Sequence, residues 1–371
     1  MFEALSIKNL RGIDNLKIAD LSRINIFVGP NNSGKTTVLE ALFLLIGMSN
    51  TQLYVGINNL RGLTSIEEND LRLNFRDLDF QNRITLEAYD SEDGNRKLEI
   101  TPQFSDKIVE QVKTLEQVTE SNNLAEALRE TALAETSISQ KATGLNYEYS
   151  RLNGEENSYN SALYFDRGAL KITLNPEYKE KLAGRFVNSQ TFYNTLSDKI
   201  DRIQRDKRKD ELISFLKAID HKVQDIALAR NGLVYIDIGI SQMIPINLMG
   251  DGFLKACEAM ATVLLVSRTV SEEGFLLIDE IENGLHYKTL KLLWKSMIEA
   301  SQSSNVQMFI ATHSYEAIKV LVAVMSKNNY SKEDIRLYSL AKTDMGIHRI
   351  YKYAFENLEA SIESDVEIRG Q

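Results

Sequence analysis

Nine consecutive residues, Gly29-Pro30-Asn31-Asn32-Ser33-Gly34-Lys35-Thr36-Thr37, carry the chemistry most directly readable in this chain. They fit the pattern G-x-x-x-x-G-K-S/T, a loop whose backbone N–H groups close around a phosphate. An unbroken apolar run, Ile24 to Val28, precedes them, and Val38, Leu39, Leu42, Phe43 and Ile46 follow at helical spacing. The loop is therefore expected between a buried strand and a helix start, where the helix N-terminus adds positive potential. Gly29 and Gly34 let the backbone turn around the phosphates, and Asn31, Asn32, Ser33 and Thr37 complete the cradle. Lys35 is placed to reach the β- and γ-phosphates, and the Thr36 hydroxyl to ligate Mg²⁺.

Three further groups could work with such a loop. Phe275 to Ile278 is an apolar strand ending in Asp279 and Glu280. Carboxylates at that end of a strand face the crevice where nucleotides bind in open α/β sheets. Asp279 suits Mg²⁺ coordination through water, and Glu280 suits orienting or deprotonating an attacking water. The next apolar strand, Val306 to Ala311, ends in Thr312-His313-Ser314, which brings His313 to the same edge, within reach of a γ-phosphate. Met249-Gly250-Asp251-Gly252 opens another helix, and glycines before a helix leave N–H groups aimed outward, a second anion site or a plain turn and cap.

The elements that position these groups read as α/β. Leu5 and Ile7, then Leu16 and Ile18, alternate with polar neighbours in a β-rich opening. From Leu233 onward, strands (Val234–Ile238, Phe275–Ile278, Val306–Ala311) alternate with helical stripes, which argues a mostly parallel sheet covered on both faces. Residues 1–47 and 233–371 are expected to share that sheet, split by an inserted region, 48–232. Within the insertion, 71–104 reads as β-hairpins, with Asp93-Gly94 as a turn, and short strands recur at Tyr147–Leu152 and Ala162–Phe165. Residues 106–142 and 190–229 read as amphipathic helices, the second with Leu212, Leu216, Ile219, Val223 and Ile226 on one face.

Composition narrows the setting. Lys+Arg 43 against Asp+Glu 52 gives a net charge of −9, which argues against a surface-wide nucleic-acid binder but leaves room for a local basic groove. The basic cluster Arg202, Arg205, Lys207, Arg208 and Lys209 is interrupted by acids and reads as a solvated helix face. Cys257 is the single cysteine, so no internal disulfide or cysteine zinc site can form; its place is as a small apolar core group. No run reaches membrane-spanning length and no signal-peptide pattern opens the chain, so a cytoplasmic protein without membrane contact is expected.

Together the four elements resemble ATPases of the ABC/SMC/RecF superclass. Gly29–Thr37 is similar to Walker A, Asp279-Glu280 to Walker B, His313 to the switch histidine, and Met249–Gly252 to a degenerate signature motif. Ile7-Lys8-Asn9-Leu10-Arg11-Gly12-Ile13 and the run Asp279 to His286 more closely resemble OLD-type (overcoming lysogenization defect) ATPases that lack the Toprim nuclease domain. The resemblance implies an ABC-type P-loop ATPase head with an N-terminal antiparallel β-lobe and a helical insertion. It implies a homodimer, or a higher oligomer, in which ATP is held by Lys35 and Thr36 of one head and by Gly250, Asp251 and Gly252 of its mate. Glu280, His313 and Lys35 would carry hydrolysis, Thr36 and Asp279 would hold Mg²⁺, and Arg11 would lie near the nucleotide. Asn283 to His286 would lie at the dimer seam, although His286 could equally cap the next helix. A glutamine linking the metal to the insertion is expected among Gln52, Gln81 and Gln103. No acidic cluster suited to two-metal chemistry follows His313, so nuclease activity is not expected of this chain. Such relatives serve bacterial antiphage defence beside a separate effector, a nuclease or toxin. Two other readings share the same site: an ATP-locked, non-catalytic scaffold for such an effector, and a RecF- or SMC-like repair ATPase that binds DNA.

Overall fold

The helix after the phosphate loop, α1 (Lys35–Ile46), is buried around nearly its whole circumference. A helix apolar on all sides must lie inside the protein, and α1 lies between two sheets. The computed structural model describes residues 1–90, 94–104, 142–152, 156–188, 196–267, 273–328, 330–343, 345–355 and 357–359. Among these, one sheet is antiparallel, in the order β2 (Ile13–Ile18), β1 (Ala4–Leu10), β4 (Ile84–Tyr89), β5 (Asn95–Phe104), β6 (Ala142–Leu152), β7 (Glu156–Asp166), β8 (Ala169–Thr173). The other runs β16 (His348–Tyr353), β15 (Ile335–Lys342), β3 (Ile24–Val28), β14 (Val306–Ala311), β13 (Gly274–Asp279), β9 (Ala183–Val187). It is parallel except at β16, which pairs antiparallel with β15. The fold is α/β, a mostly parallel sheet that carries the phosphate loop, joined to an antiparallel β-lobe.

Successive residues of the central strands point to opposite faces, so each strand serves two cores. Ile24, Ile26, Leu276, Ile278, Met308 and Ile310 face one core. A short helix, α2 (Gln52–Asn59), packs on α1, and the helices on the first side are α3 (Leu196–Arg205), α4 (Lys209–Ile219), α5 (Asp251–Val266), α6 (Tyr287–Ser303) and α7 (Tyr315–Asn328). Phe27, Phe275, Leu277 and Phe309 face the other core, formed with α1 and the β-lobe. There Phe27, Phe309 and Phe275 form a ladder with centroids 6.5 Å apart at each step. Each aromatic step stabilises the parallel pairing beyond its buried area, by about 0.5–1.5 kcal/mol.

The sheets do not follow the division at residues 47 and 233. β1 and β2 belong with β4–β8 in the antiparallel sheet, whereas β9, from the middle region, forms the edge of the parallel sheet beside β13. The reason is steric: Gly184 in β9 lets Ile46 of α1 lie against the strand, where a Cβ would stand 2.9 Å from it. Residues 68–78 form short 3-10 turns rather than strand, so β structure in the 71–104 stretch begins at Ile84. The helical reading of 190–229 ends early as well. After α4 the chain turns at Asp220 and enters strand β10 (Asp225–Leu228), which pairs with β11 (Val234–Asp237), so Ile226 is a strand residue. The expected helices at 106–142 fall outside the described residues except at Ala142, the first residue of β6. Among the described residues no helix is long and apolar enough to cross a membrane.

Candidate functional site

The C-terminal ends of β3, β13 and β14 stand side by side in parallel, so the segments that leave them meet in one place. Asn31, Asn32, Ser33, Gly34, Lys35, Thr36 and Thr37 line a cleft with Asp279, Glu280, Thr312 and His313, of 300 Å³. Gly29, also part of the loop, acts through its backbone. At φ 146° it passes Leu340, and a Cβ would stand 2.2 Å from that residue's carbonyl oxygen. Gly34, at φ 96°, is the N-cap of α1, with no side-chain cap and no acid in the first turn. The first N–H groups of the helix are thus left for an anion.

The charged groups are arranged in pairs. Lys35 Nζ donates to the carbonyl oxygens of Gly29 and Pro30, each at 2.8 Å. Burial lowers its pKa, opposed by Asp279, Glu282 and Glu280. The Thr36 hydroxyl donates to Asp279 Oδ2 at 2.8 Å. Burial pushes the Asp279 carboxyl up to about 6, the Thr36 bond opposing and the neighbouring carboxylates Glu280 and Glu40 reinforcing the shift. Two oxygens this close, at the edge of a phosphate cradle, are a donor set suited to Mg²⁺, a hard cation that takes one or two protein oxygens plus phosphate oxygens.

Glu280 has φ 55°, a left-handed conformation that is costly for a residue with a side chain. It bends the chain out of β13, and Asn283 Nδ2 donates to its Oε2 at 3.1 Å. Glu282 organises the third strand end. Its two oxygens accept from the Thr312 hydroxyl at 2.6 Å and from the His313 backbone N–H at 3.1 Å. His313 Nδ1 lies 3.0 Å from the same carboxylate, which leaves Nε2 as the nitrogen available to a ligand.

Arg61 lines the cleft and was not singled out from the sequence. Its Nε and Nη2 donate to the two oxygens of Glu40, at 2.6 and 3.0 Å. Glu40, 0% exposed in α1, also accepts from Arg11 Nε at 2.8 Å. Burial disfavours the Arg61 charge, but the bond and charge of Glu40 outweigh it and the pKa is raised. Arg11 is turned onto Glu40 and Asn58 and does not line the cleft, so Arg61 occupies the place expected for it. The signal was present in α1: a carboxylate in the middle of an apolar helix stripe requires cations to meet it.

Gly250, Asp251 and Gly252 lie outside the cleft. Gly250, at φ 88°, is the N-cap of α5, again without a side-chain cap. A Cβ on Gly252 would stand 2.6 Å from the Gly284 carbonyl oxygen, and Lys255 Nζ donates to Asn283 Oδ1 at 2.9 Å. The start of α5 and the Asn283–Gly284 turn are therefore one packed surface. His286 is the N-cap of α6, its Nδ1 accepting from the Lys288 N–H at 3.4 Å. Gln52, Gln81 and Gln103 all lie off the cleft lining.

An "ATP/GTP phosphatase" of Helicobacter pylori (strain ATCC 700392 / 26695) is 25% identical over the full length of both chains. The Smc head domain of Pyrococcus furiosus, solved bound to the C-terminal domain of ScpA, aligns over 98% of this chain and 99% of its own at 12% identity, with a TM-score of 0.48. Residues 24–319, which contain every cleft residue named above, match the family described as "AAA domain, putative AbiEii toxin, Type IV TA system", and the chain belongs to that family.

Proposed function

We propose that this chain is a Mg²⁺-dependent ATPase that works as a nucleotide-gated dimer. The observation that carries the reading is one polar cleft. It gathers an uncapped helix N-terminus, Lys35, Arg61, the Thr36–Asp279 pair, Glu280 and His313. At 300 Å³ it lies at the small end of ligand sites, a size that encloses the phosphate tail and leaves the base at its mouth. Lys35 exchanges its two loop carbonyls for phosphate oxygens. Bound Mg²⁺, held at Thr36 and Asp279, supplies charge neutralisation of the phosphate oxygens. Glu280, tethered by Asn283, orients the attacking water and accepts its proton, and His313 donates from Nε2 to the γ-phosphate. Arg61 opposes negative charge that builds during transfer.

The dimer reading rests on Gly250–Gly252. Their N–H groups open at a second uncapped helix start, away from the chain's own cleft, beside Leu248, which is 71% exposed. A second head supplies the phosphate for that end. The phosphatase name of the Helicobacter relative agrees with hydrolysis, and a role in antiphage defence beside a separate effector rests on the resemblance read in the sequence. The test is ATP turnover together with mass measurement, with and without nucleotide, on the wild type and Glu280→Gln. Lost turnover with a trapped ATP-bound dimer supports the reading. Undiminished turnover in Glu280→Gln removes the base, and a monomer at saturating ATP removes the gate.

A further inference from the structure

Away from the phosphate cleft, the β-lobe carries a second concavity whose lining shares no residue with the first. It has a volume of 530 Å³ and is formed by β6, β7 and the segment after β8. Tyr159 and Tyr178 line it, with Arg151, Lys179 and Lys181; Glu177 is the acid among the lining residues. Two exposed lysines close together, Lys179 and Lys181, stand out in a chain of net charge −9. Lys179 and Lys181 are exposed and have no ion-pair partner among the described residues. Glu180, the acid between the two lysines in sequence, is already engaged. Glu180 Oε2 accepts from Arg96 at 2.6 Å and from the Tyr178 hydroxyl at 3.3 Å, while Oε1 accepts from two backbone N–H groups.

The aromatic side is built just as firmly. Tyr178 packs edge-on to Tyr159 and Tyr149, at centroid distances of 5.1 and 5.0 Å. Tyr149 is buried and its hydroxyl is fixed 3.0 Å from Ser161 Oγ. Behind them Arg96, 1% exposed, donates to the carbonyl oxygens of Leu45 and Ile46 at the end of α1. The rings are thus held in place before any ligand arrives, which lowers the ordering cost of binding.

A simple anion would need the lysines but not the tyrosines, and an apolar ring the reverse. We propose that this concavity binds a nucleotide unit, its base stacked on Tyr178 with the inclined ring of Tyr159 at its edge, and its phosphate on Lys179 and Lys181. The volume suits one such unit, and stacking on tyrosine tolerates any base. The unit is either a free nucleotide or one residue of a single strand.

The experiment uses the full chain with two probes, AMP by calorimetry and a 5′-labelled oligothymidylate of about eight nucleotides by anisotropy. Binding of either probe that falls at least tenfold in the double variant Lys179→Glu/Lys181→Glu, and in Tyr178→Leu, supports the site. Tyr178→Phe retains binding, and so does Lys35→Ala, which separates this site from the phosphate loop. AMP alone identifies a free nucleotide. The oligothymidylate, with a log–log salt slope that shrinks by about 1.4 in the double lysine variant, identifies a strand. If Tyr178→Leu does not fold, the lysine variant decides. The proposal is overturned if neither probe binds at about 1 mM, if the lysine reversal leaves binding unchanged, or if Lys35→Ala abolishes it.

Discussion

Glu40→Gln isolates the electrostatics that bring Arg61 to the cleft. The carboxylate receives three charge-assisted bonds: Arg61 Nε at 2.6 Å on Oε1, and Arg11 Nε at 2.8 Å and Arg61 Nη2 at 3.0 Å on Oε2. Glutamine keeps the shape but replaces one oxygen with an NH₂ group, so a donor must face a donor whichever way the amide turns. It also leaves two guanidinium groups together without their counter-charge. Arg11 is already held below its ordinary pKa, by burial first and by Arg61 among its neighbours, with Glu40 opposing. Removing one partner of a buried ion pair costs about 3–5 kcal/mol. With an unfolding entropy of about 2.1 cal/mol/K per residue over 371 residues, Tm should fall by about 4–6 °C. Arg61, released, swings out of the cleft, and ATP turnover falls at least tenfold. The assays are thermal denaturation at pH 7 and steady-state phosphate release. A Tm within about 1 °C of wild type would refute the reasoning, because Asn58 and Asp279 would then suffice to hold both arginines.

Other perturbations follow from the same contacts. Gly252→Ala should cost about 1–3 kcal/mol in chemical denaturation, because its Cβ meets the Gly284 carbonyl at 2.6 Å. Gly250→Ala, which meets nothing within 4 Å, should cost only the backbone strain of an extended positive-φ conformation (φ 88°, ψ 155°), about 1–3 kcal/mol. Arg96→Met should cost about 3–5 kcal/mol in urea, since Glu180 and the last carbonyls of α1 lose their partner together. His348 packs behind the phosphate loop at Gly34, and burial, with Lys342 and Arg76 nearby, holds its pKa below the usual value. The folded chain thus resists a proton that the unfolded chain accepts near pH 6.5. Wild-type stability should fall relative to His348→Gln as pH drops from about 7 toward the depressed folded value, with no difference in slope above about pH 7.5. Parallel Tm–pH curves for the two proteins would refute it.

The site was legible wherever its residues end apolar strands. Lys35, Asp279 and His313 each follow a run that can only be a buried strand, and parallel neighbours in one sheet must discharge their C-terminal residues at one edge. Arg61 was hidden because it lies just past a short helix, Gln52–Asn59, in a stretch expected to be loop, and it reaches the cleft only through Glu40, 21 positions back. β9 was hidden for a related reason. Ala183-Gly184-Arg185-Phe186-Val187 has no apolar run, and its place beside β13 is fixed by a glycine that admits Ile46. Val223 and Ile226 keep helical spacing by coincidence, and the turn at Asp220, invisible to periodicity, sends Val223 into the connection and Ile226 into strand β10.

These features converge on α1. Its first turn faces the phosphates, its middle holds Glu40 and through it both arginines, and its last carbonyls are capped by Arg96 from the β-lobe. One helix is therefore bonded at the cleft, to the polar segment after it and to the antiparallel sheet. It is packed between two sheets, and protein interiors leave little room for a buried helix to bend. A shift at its phosphate end must move the helix as a body and be felt at Arg96, or it must break the Glu40 bonds on the way. The first outcome transmits nucleotide state to the β-lobe; the second confines it to the cleft. Glu40→Gln and Arg96→Met separate them, because only the first makes turnover depend on both ends of the helix.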